Sequence, residues 1–217
     1  MKIRTAQQLD DCLSRDLAWR KKELITLKFL HDKSRDHQQD LLRRAGVALL
    51  YAHWEGFVKS AGTAYVEFVA RQNLRYRDLQ PNFIALGAKK QLQQFAASSR
   101  GTILCTAGDF FINQLGNRAR LVWETAVETK SNLSAQLTRD ILAILGLDYR
   151  PFEVHEKTVI ERLREWRNGI AHGRYLRVRI TDYHELHEKA LDLLDELRTQ
   201  ISNAAMGRTY RATPAHG

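Results

Sequence analysis

"LLRRAGVALLYAHWEGFVKSAGTAYVEFVA", residues 41–70, is the stretch whose reading decides the fold. It contains no proline, and apolar groups recur at Leu42, Ala45, Leu49, Trp54, Phe57, Ala61, Tyr65 and Phe68. Steps of three to five residues trace one face of an α-helix, whereas a half-buried strand would alternate every second residue. The pattern predicts a long helix over roughly 38–73. Gly46, Gly56 and Gly62 lie inside it. An interior glycine costs about 1 kcal/mol relative to alanine, so these positions read as places where another helix approaches closely.

Working outward, Leu9, Leu13, Leu17, Leu24, Leu27 and Leu30 predict a first long helix over 5–35. Residues 74–82 are a polar connection ending near Pro81, followed by a helix from about 82 to 97 and a loop at "SSRGT", 98–102. The region 103–149 reads as short helices separated near Gly108, Gly116 and Ser131. Its last helix carries Leu133, Leu137, Ile141, Leu142 and Leu145 and is stopped by Gly146. A helix over 155–172 follows, with Val159, Leu163, Trp166 and Ile170 on one face and Gly173 as its stop. "RYLRVRI", 174–180, alternates Leu176, Val178 and Ile180 with arginines, which predicts a short extended segment or hairpin arm. Thr181 or Asp182 is the expected cap of a last helix with the face Leu186, Ala190, Leu193, Leu197 and Ile201. The expectation is an all-α helical bundle: two long N-terminal helices, short helices in the middle, one domain over 1–206 and a mobile tail over 207–217.

Composition agrees with this. The prolines are only Pro81, Pro151 and Pro214, and proline is excluded from helix interiors. The net charge of +9 favours a polyanionic partner, nucleic acid first and an acidic membrane second. The cysteines Cys12 and Cys105 have neither metal-ligand spacing nor a disulfide pattern, which fits a reducing compartment. No signal segment or membrane span is legible, so a cytoplasmic location is expected.

The chemistry concentrates in "EWRNGIAHGRY", residues 165–175, at the end of the helix over 155–172. At about 100° per residue, Glu161, Glu165, Asn168 and His172 share a face almost opposite the apolar one. Arg167 lies to one side, close enough for its long side chain to reach the same opening. Two readings stand. His172 at a helix C-terminus interacts favourably with the helix dipole, which needs no function. Alternatively, with Arg167 and the arginines Arg174, Arg177 and Arg179 that follow, it forms a phosphate-processing group. Arginine binds phosphate bidentately, and histidine exchanges a proton near neutral pH. Together they can promote attack of a ribose 2′-OH on the adjacent phosphate without a metal or other cofactor. That reaction needs a base and an acid, and a homodimer would supply a second histidine across its axis.

Arg167-Asn168-Gly169-Ile170-Ala171-His172 matches the R-x4-H signature of the HEPN superfamily, and "HWEGFVKSA", 53–61, resembles the tryptophan–glutamate helix of its RiboL-PSP-HEPN type. The resemblance implies a small dimeric helical bundle that often acts as an endoribonuclease, commonly a toxin or an anti-phage defence effector. It assigns Arg167 and His172 as the catalytic pair with Asn168 as helper. Glu55 and Glu165 are auxiliary candidates, and Arg174, Arg177 and Arg179 are the RNA-binding candidates. The implied partners are RNA, a second copy of the chain, and a cognate antitoxin or defence-system protein. In members controlled by AMP transfer, the accepting tyrosine stands two residues after the histidine. Here that position is Arg174 and the tyrosine is Tyr175, which speaks against that control. A non-catalytic RNA- or protein-binding module, or a regulatory subunit, is the alternative. His155, His184 and His187 lack convergent ligands in the sequence, and no metal site is expected.

Overall fold

The computed structural model describes residues 2–97 and 100–213. Helix α1 (Ala6–Lys33) opens with a capping box in which the Thr5 hydroxyl accepts from the Gln8 amide. Leu9, Leu13, Leu17 and Leu24 are buried along it. Leu30, counted on that face from its spacing, is 52 % exposed, and its neighbour His31 is the buried residue there, against Tyr183. Helix α2 (Asp36–Ala70) is the central element, packed against α1 and the later helices α8 and α9. The face read from sequence holds from Trp54 onward. In the N-terminal half the buried residues are Gly46, Val47, Leu50, Tyr51 and His53, while Ala45 is exposed, so the face is rotated from the predicted one.

After a short turn, α3 (Pro81–Gly87) and α4 (Lys89–Ala96) replace the single helix expected over 82–97. Helix α5 (Gly101–Asp109) starts inside the stretch read as a loop and passes through Gly108 into a π-turn at Phe110–Gln114. Ser98 and Ser99 of that loop lie outside the described residues. An irregular segment leads to α6 (Ala135–Leu145), which the Ser134 hydroxyl caps and Gly146 stops in the left-handed region at φ 69°.

The late helix is built in pieces. Helix α7 (Arg150–Glu153), a π-turn over Glu156–Glu161 and α8 (Arg162–Ala171) replace the continuous helix expected over 155–172. Val159, Ile160 and Leu163 are buried, and Trp166 and Ile170 pack on the core. Residues 174–179 form neither helix nor strand among the described residues, and of their backbone Arg179 lies in the extended region. Val178 is buried, and its carbonyl accepts from Arg43 Nε at 2.7 Å, so a side chain takes the place of a sheet partner. Helix α9 (Ile180–Met206) starts earlier than predicted: Arg179 is its N-cap, and Asp182 lies in its first turn. All five apolar residues predicted for its face are buried.

Gly46 shows why α2 tolerates glycine. A Cβ there would lie 2.5 Å from the Tyr183 ring, so the α2–α9 approach requires the missing side chain. The segment expected to be a mobile tail is docked as far as the structure describes it. Tyr210 is buried against Phe68, its carbonyl accepts from the Gln80 amide at 2.9 Å, and the Ala212 amide donates to Asp78. Residues 214–217 of that tail lie outside the described residues. No described helix is long and apolar enough to cross a membrane.

Candidate RNA-processing site

The Arg–x4–His segment lies along α2, and its geometry starts from Tyr51. That ring is buried in the floor, and the Arg167 guanidinium sits over it with Cζ 4.0 Å from the centroid. The Tyr51 hydroxyl accepts from the Leu133 amide at 2.6 Å. Burial pushes the Tyr51 phenol above its ordinary range, so it stays a neutral platform. One turn along α2, Glu55 lies 3.8 Å from Arg167 Nη2. The same Nη2 donates to the Ser131 carbonyl at 2.7 Å.

The loop that presents this carbonyl is strained. Lys130 and Ser131 have φ of 51° and 53°, the left-handed region that non-glycine residues avoid. Such residues cost of order 1–3 kcal/mol each unless their surroundings hold them. Here Arg167 holds the Ser131 carbonyl and the Tyr51 hydroxyl holds the Leu133 amide, both on the C-terminal side of the turn. Arg167 Nε is buried with no hydrogen-bond partner, so the guanidinium is only partly satisfied.

Asn168 donates to Asn132 Oδ1 at 3.4 Å, a long bond. His172 is exposed, and among the described residues its ring has no hydrogen-bond partner. Its backbone ends α8 in a Schellman motif: the Gly173 amide donates to the Ile170 carbonyl and the Arg174 amide to the Gly169 carbonyl, with Gly173 at φ 72°. The structure therefore gathers Arg167, Glu55 and Asn168 around one short loop and leaves His172 free at the helix end. No hydrogen bond joins Arg167 to His172 among the described residues. Glu165 is exposed and takes no part in this cluster.

The basic arm is not uniform. Arg174 and Arg177 are exposed, whereas Arg179 forms a two-pronged pair with Asp182 at 2.8 and 3.0 Å. That pair holds the Asp182 carboxyl below its ordinary range. Arg177 lines an open cleft of about 660 Å³ with Gln39, Arg43 and Val178.

Sequence reading missed Tyr51, Ser131, Arg44 and Asp40. Arg44 Nη2 donates to the Arg174 carbonyl at 3.4 Å and its Cζ lies 5.5 Å from the Tyr175 ring centroid, while the Tyr175 hydroxyl donates to Asp40 at 3.3 Å. The signal that could have found the three α2 positions is spacing: residues 40, 44 and 51 are four and seven apart and share one face with Glu55.

His31, Asp32 and His184 bring three metal-ligating atoms together. The Arg43 guanidinium lies 3.3 Å from His31 Nε2 and can only donate, so Nε2 accepts and Nδ1–H donates to Asp32 at 2.8 Å. A metal on Nδ1 would turn Nε2 into a donor facing another donor, opposite to the acceptor that metal-bound histidines normally find. The trio fits a hydrogen-bond relay better than a metal centre. His53 repeats the arrangement, facing Arg20 through Nδ1 at 3.4 Å and Glu23 through Nε2 at 2.7 Å.

Fold and site together define a helical-bundle domain that carries an arginine–histidine motif at the end of a late helix. The RiboL-PSP-HEPN sequence model matches residues 15–203, and the chain belongs to that family. No curated protein and no solved structure matches the chain. Membership supports an RNA-related or nuclease role in general, and HEPN domains commonly bind RNA and often dimerise.

Proposed function

We propose that this protein is a metal-independent endoribonuclease that works as a homodimer, as a toxin or an anti-phage defence effector. One observation carries the reading: His172 stands exposed at the end of α8, without a side-chain partner among the described residues, five residues beyond an arginine that a strained loop and a buried tyrosine hold in place. One His172 removes the proton from the ribose 2′-OH, which attacks the adjacent phosphorus. The partner's His172 protonates the departing 5′-oxygen. Arg167, its guanidinium held over Tyr51, supplies positive charge that stabilises the charge developing on the phosphate. The products are a 2′,3′-cyclic phosphate and a 5′-hydroxyl.

A second reading is a non-catalytic RNA-binding module, supported by the engagement of Arg167 with Ser131 and Glu55, which a purely structural arginine would also show. The deciding experiment incubates wild type and His172→Ala with total RNA in EDTA and maps the fragment ends. Cyclic-phosphate ends with wild type, absent with the variant, support the nuclease. Strict metal dependence, 5′-phosphate ends or full activity in His172→Ala rejects it. In the same experiment, light scattering at micromolar concentration should give a dimer.

A further inference from the structure

We propose that the cleft framed by Arg4, Arg71, Arg118 and Trp123 is a second site, one that binds the phosphate of a nucleotide with an aromatic wall beside it. The cleft holds about 480 Å³ and is completed by Ala70 and Asn73, a size within the ordinary range for small-ligand pockets. It lies at the far end of α2 from the Arg–x4–His segment. Arg71 follows Glu55 by sixteen residues, which is about 24 Å of helix.

Three separate parts of the chain bring a guanidinium here: the segment before α1, the end of α2, and the irregular segment after α5. Among the described residues the Arg4 guanidinium has no partner, and Arg4 is exposed. Arg118 donates to the Asn73 side-chain oxygen and is also exposed. Asn73 takes φ 56° to stand there. Arg71 gives its Nε to Glu67 at 2.7 Å and lies over the Trp123 ring, with Cζ 5.1 Å from the centroid. That pair neutralises one of the three charges and fixes the indole. Among the described residues no carboxylate lines the cleft. The C-terminus of α2 contributes only about half a negative charge, so two unneutralised guanidinium groups prevail and the site favours an anion. Guanidinium forks match phosphate oxygens, and an indole beside them suits a base better than a bare inorganic anion. The ligand is therefore a nucleotide, either free or within an RNA strand.

The test uses the full chain with His172→Ala, so that bound RNA persists, with and without Arg4→Gln/Arg118→Gln. Both substituted groups are exposed, and circular dichroism checks the fold. A twelve-residue oligouridine labelled with fluorescein and 5′-AMP are the two probes. The double variant should bind the oligonucleotide about tenfold more weakly, and its log–log salt dependence should be shallower by about 1.4, at roughly 0.7 for each single-strand phosphate that the variant no longer neutralises. A matching loss of 5′-AMP binding identifies the mononucleotide as sufficient, and a loss confined to the oligonucleotide identifies a strand. Unchanged affinity and salt slope for both probes overturns the proposal. Ultraviolet crosslinking of 4-thiouridine RNA to the chain without the double substitution supplies a readout independent of variant folding. Crosslinks in 71–73 or 118–123 are expected, and their absence overturns it. Neither readout requires cleavage, so failure of the nuclease reading leaves this test intact.

Discussion

Arg167 and His172 differ in what each does for the fold. His172 is exposed and makes no side-chain hydrogen bond among the described residues, so His172→Ala should move stability by no more than about 0.5 kcal/mol. Arg167 sits over Tyr51 and donates to Ser131, so Arg167→Ala removes a partly desolvated cation–π interaction and releases a strained loop. A loss of about 1–3 kcal/mol is expected from such interactions. Urea unfolding of the two variants should separate them, while both lose cleavage by on the order of 10²-fold or more. Equal stability of the two variants would show that Arg167 is a solvated charge. A similar contrast holds along the basic arm. Arg179 is committed to Asp182, so Arg174→Ala and Arg177→Ala should each weaken RNA binding more than Arg179→Ala, measured by fluorescence anisotropy at low salt.

At the scale of elements, α8 and its continuation run against α2 in the opposite direction. Arg167 meets Tyr51 and Glu55, Arg174 meets Arg44, and Tyr175 meets Asp40, so rising numbers on one side face falling numbers on the other. His172 stands between the two groups of interactions, and the turn at Gly173 fixes how the chain leaves the helix. Gly173→Ala introduces no clash, since nothing lies within 4 Å of the added Cβ, but it forces a side chain to φ 72°. A loss of about 1 kcal/mol is expected, and Gly173→Asn should cost less because asparagine tolerates this region. Hydrogen exchange at residues 172–176 should rise in Gly173→Ala and in Arg44→Ala, with global stability nearly unchanged in the latter. Much of this frame was legible. The leucine steps of α1, the aromatic steps of α2 beyond Trp54, the face of α9 and the stop at Gly173 all follow from local periodicity. Three features were not. The π-turn over Glu156–Glu161 shifts the register by a residue without leaving a compositional mark. "RYLRVRI" alternates as a strand does, yet it crosses a helical surface where Arg43 satisfies its backbone. The partners of the motif, Tyr51 and Ser131, come from distant sequence, so no window around "RNGIAH" contains them.

For the molecule as a whole, buried histidines join α1 to the rest of the bundle, and two besides His31 are held below their ordinary value. His53 on α2 reaches Glu23 and Arg20 on α1, and His187 on α9 meets the Leu24 carbonyl of α1 at 3.2 Å. Burial is the main cause that holds both rings below their ordinary value of 6.5. For His53, Glu23 acts in the opposite direction and Arg20 adds to the lowering. For His187, the Leu24 carbonyl opposes the lowering and Lys28 and His184 add to it. The sign follows from linkage. A proton binds these rings more tightly in the unfolded chain than in the folded one, so protonation favours unfolding. Their contribution is complete above pH 6.5 and is lost as the pH falls through the folded values. The melting temperature should therefore be level from pH 8 to about 7 and decline below it, with α1 the first element to lose hydrogen-exchange protection. In His53→Gln/His187→Gln the decline below pH 6.5 should be shallower, because glutamine bonds without titrating, even if its stability at pH 8 is lower. Carboxylates paired in the fold, such as Asp182, also lose stabilisation in acid, but only as they protonate well below this range. A decline of equal slope in wild type and the double variant between pH 6.5 and 5 would assign the acid sensitivity to groups other than these two histidines.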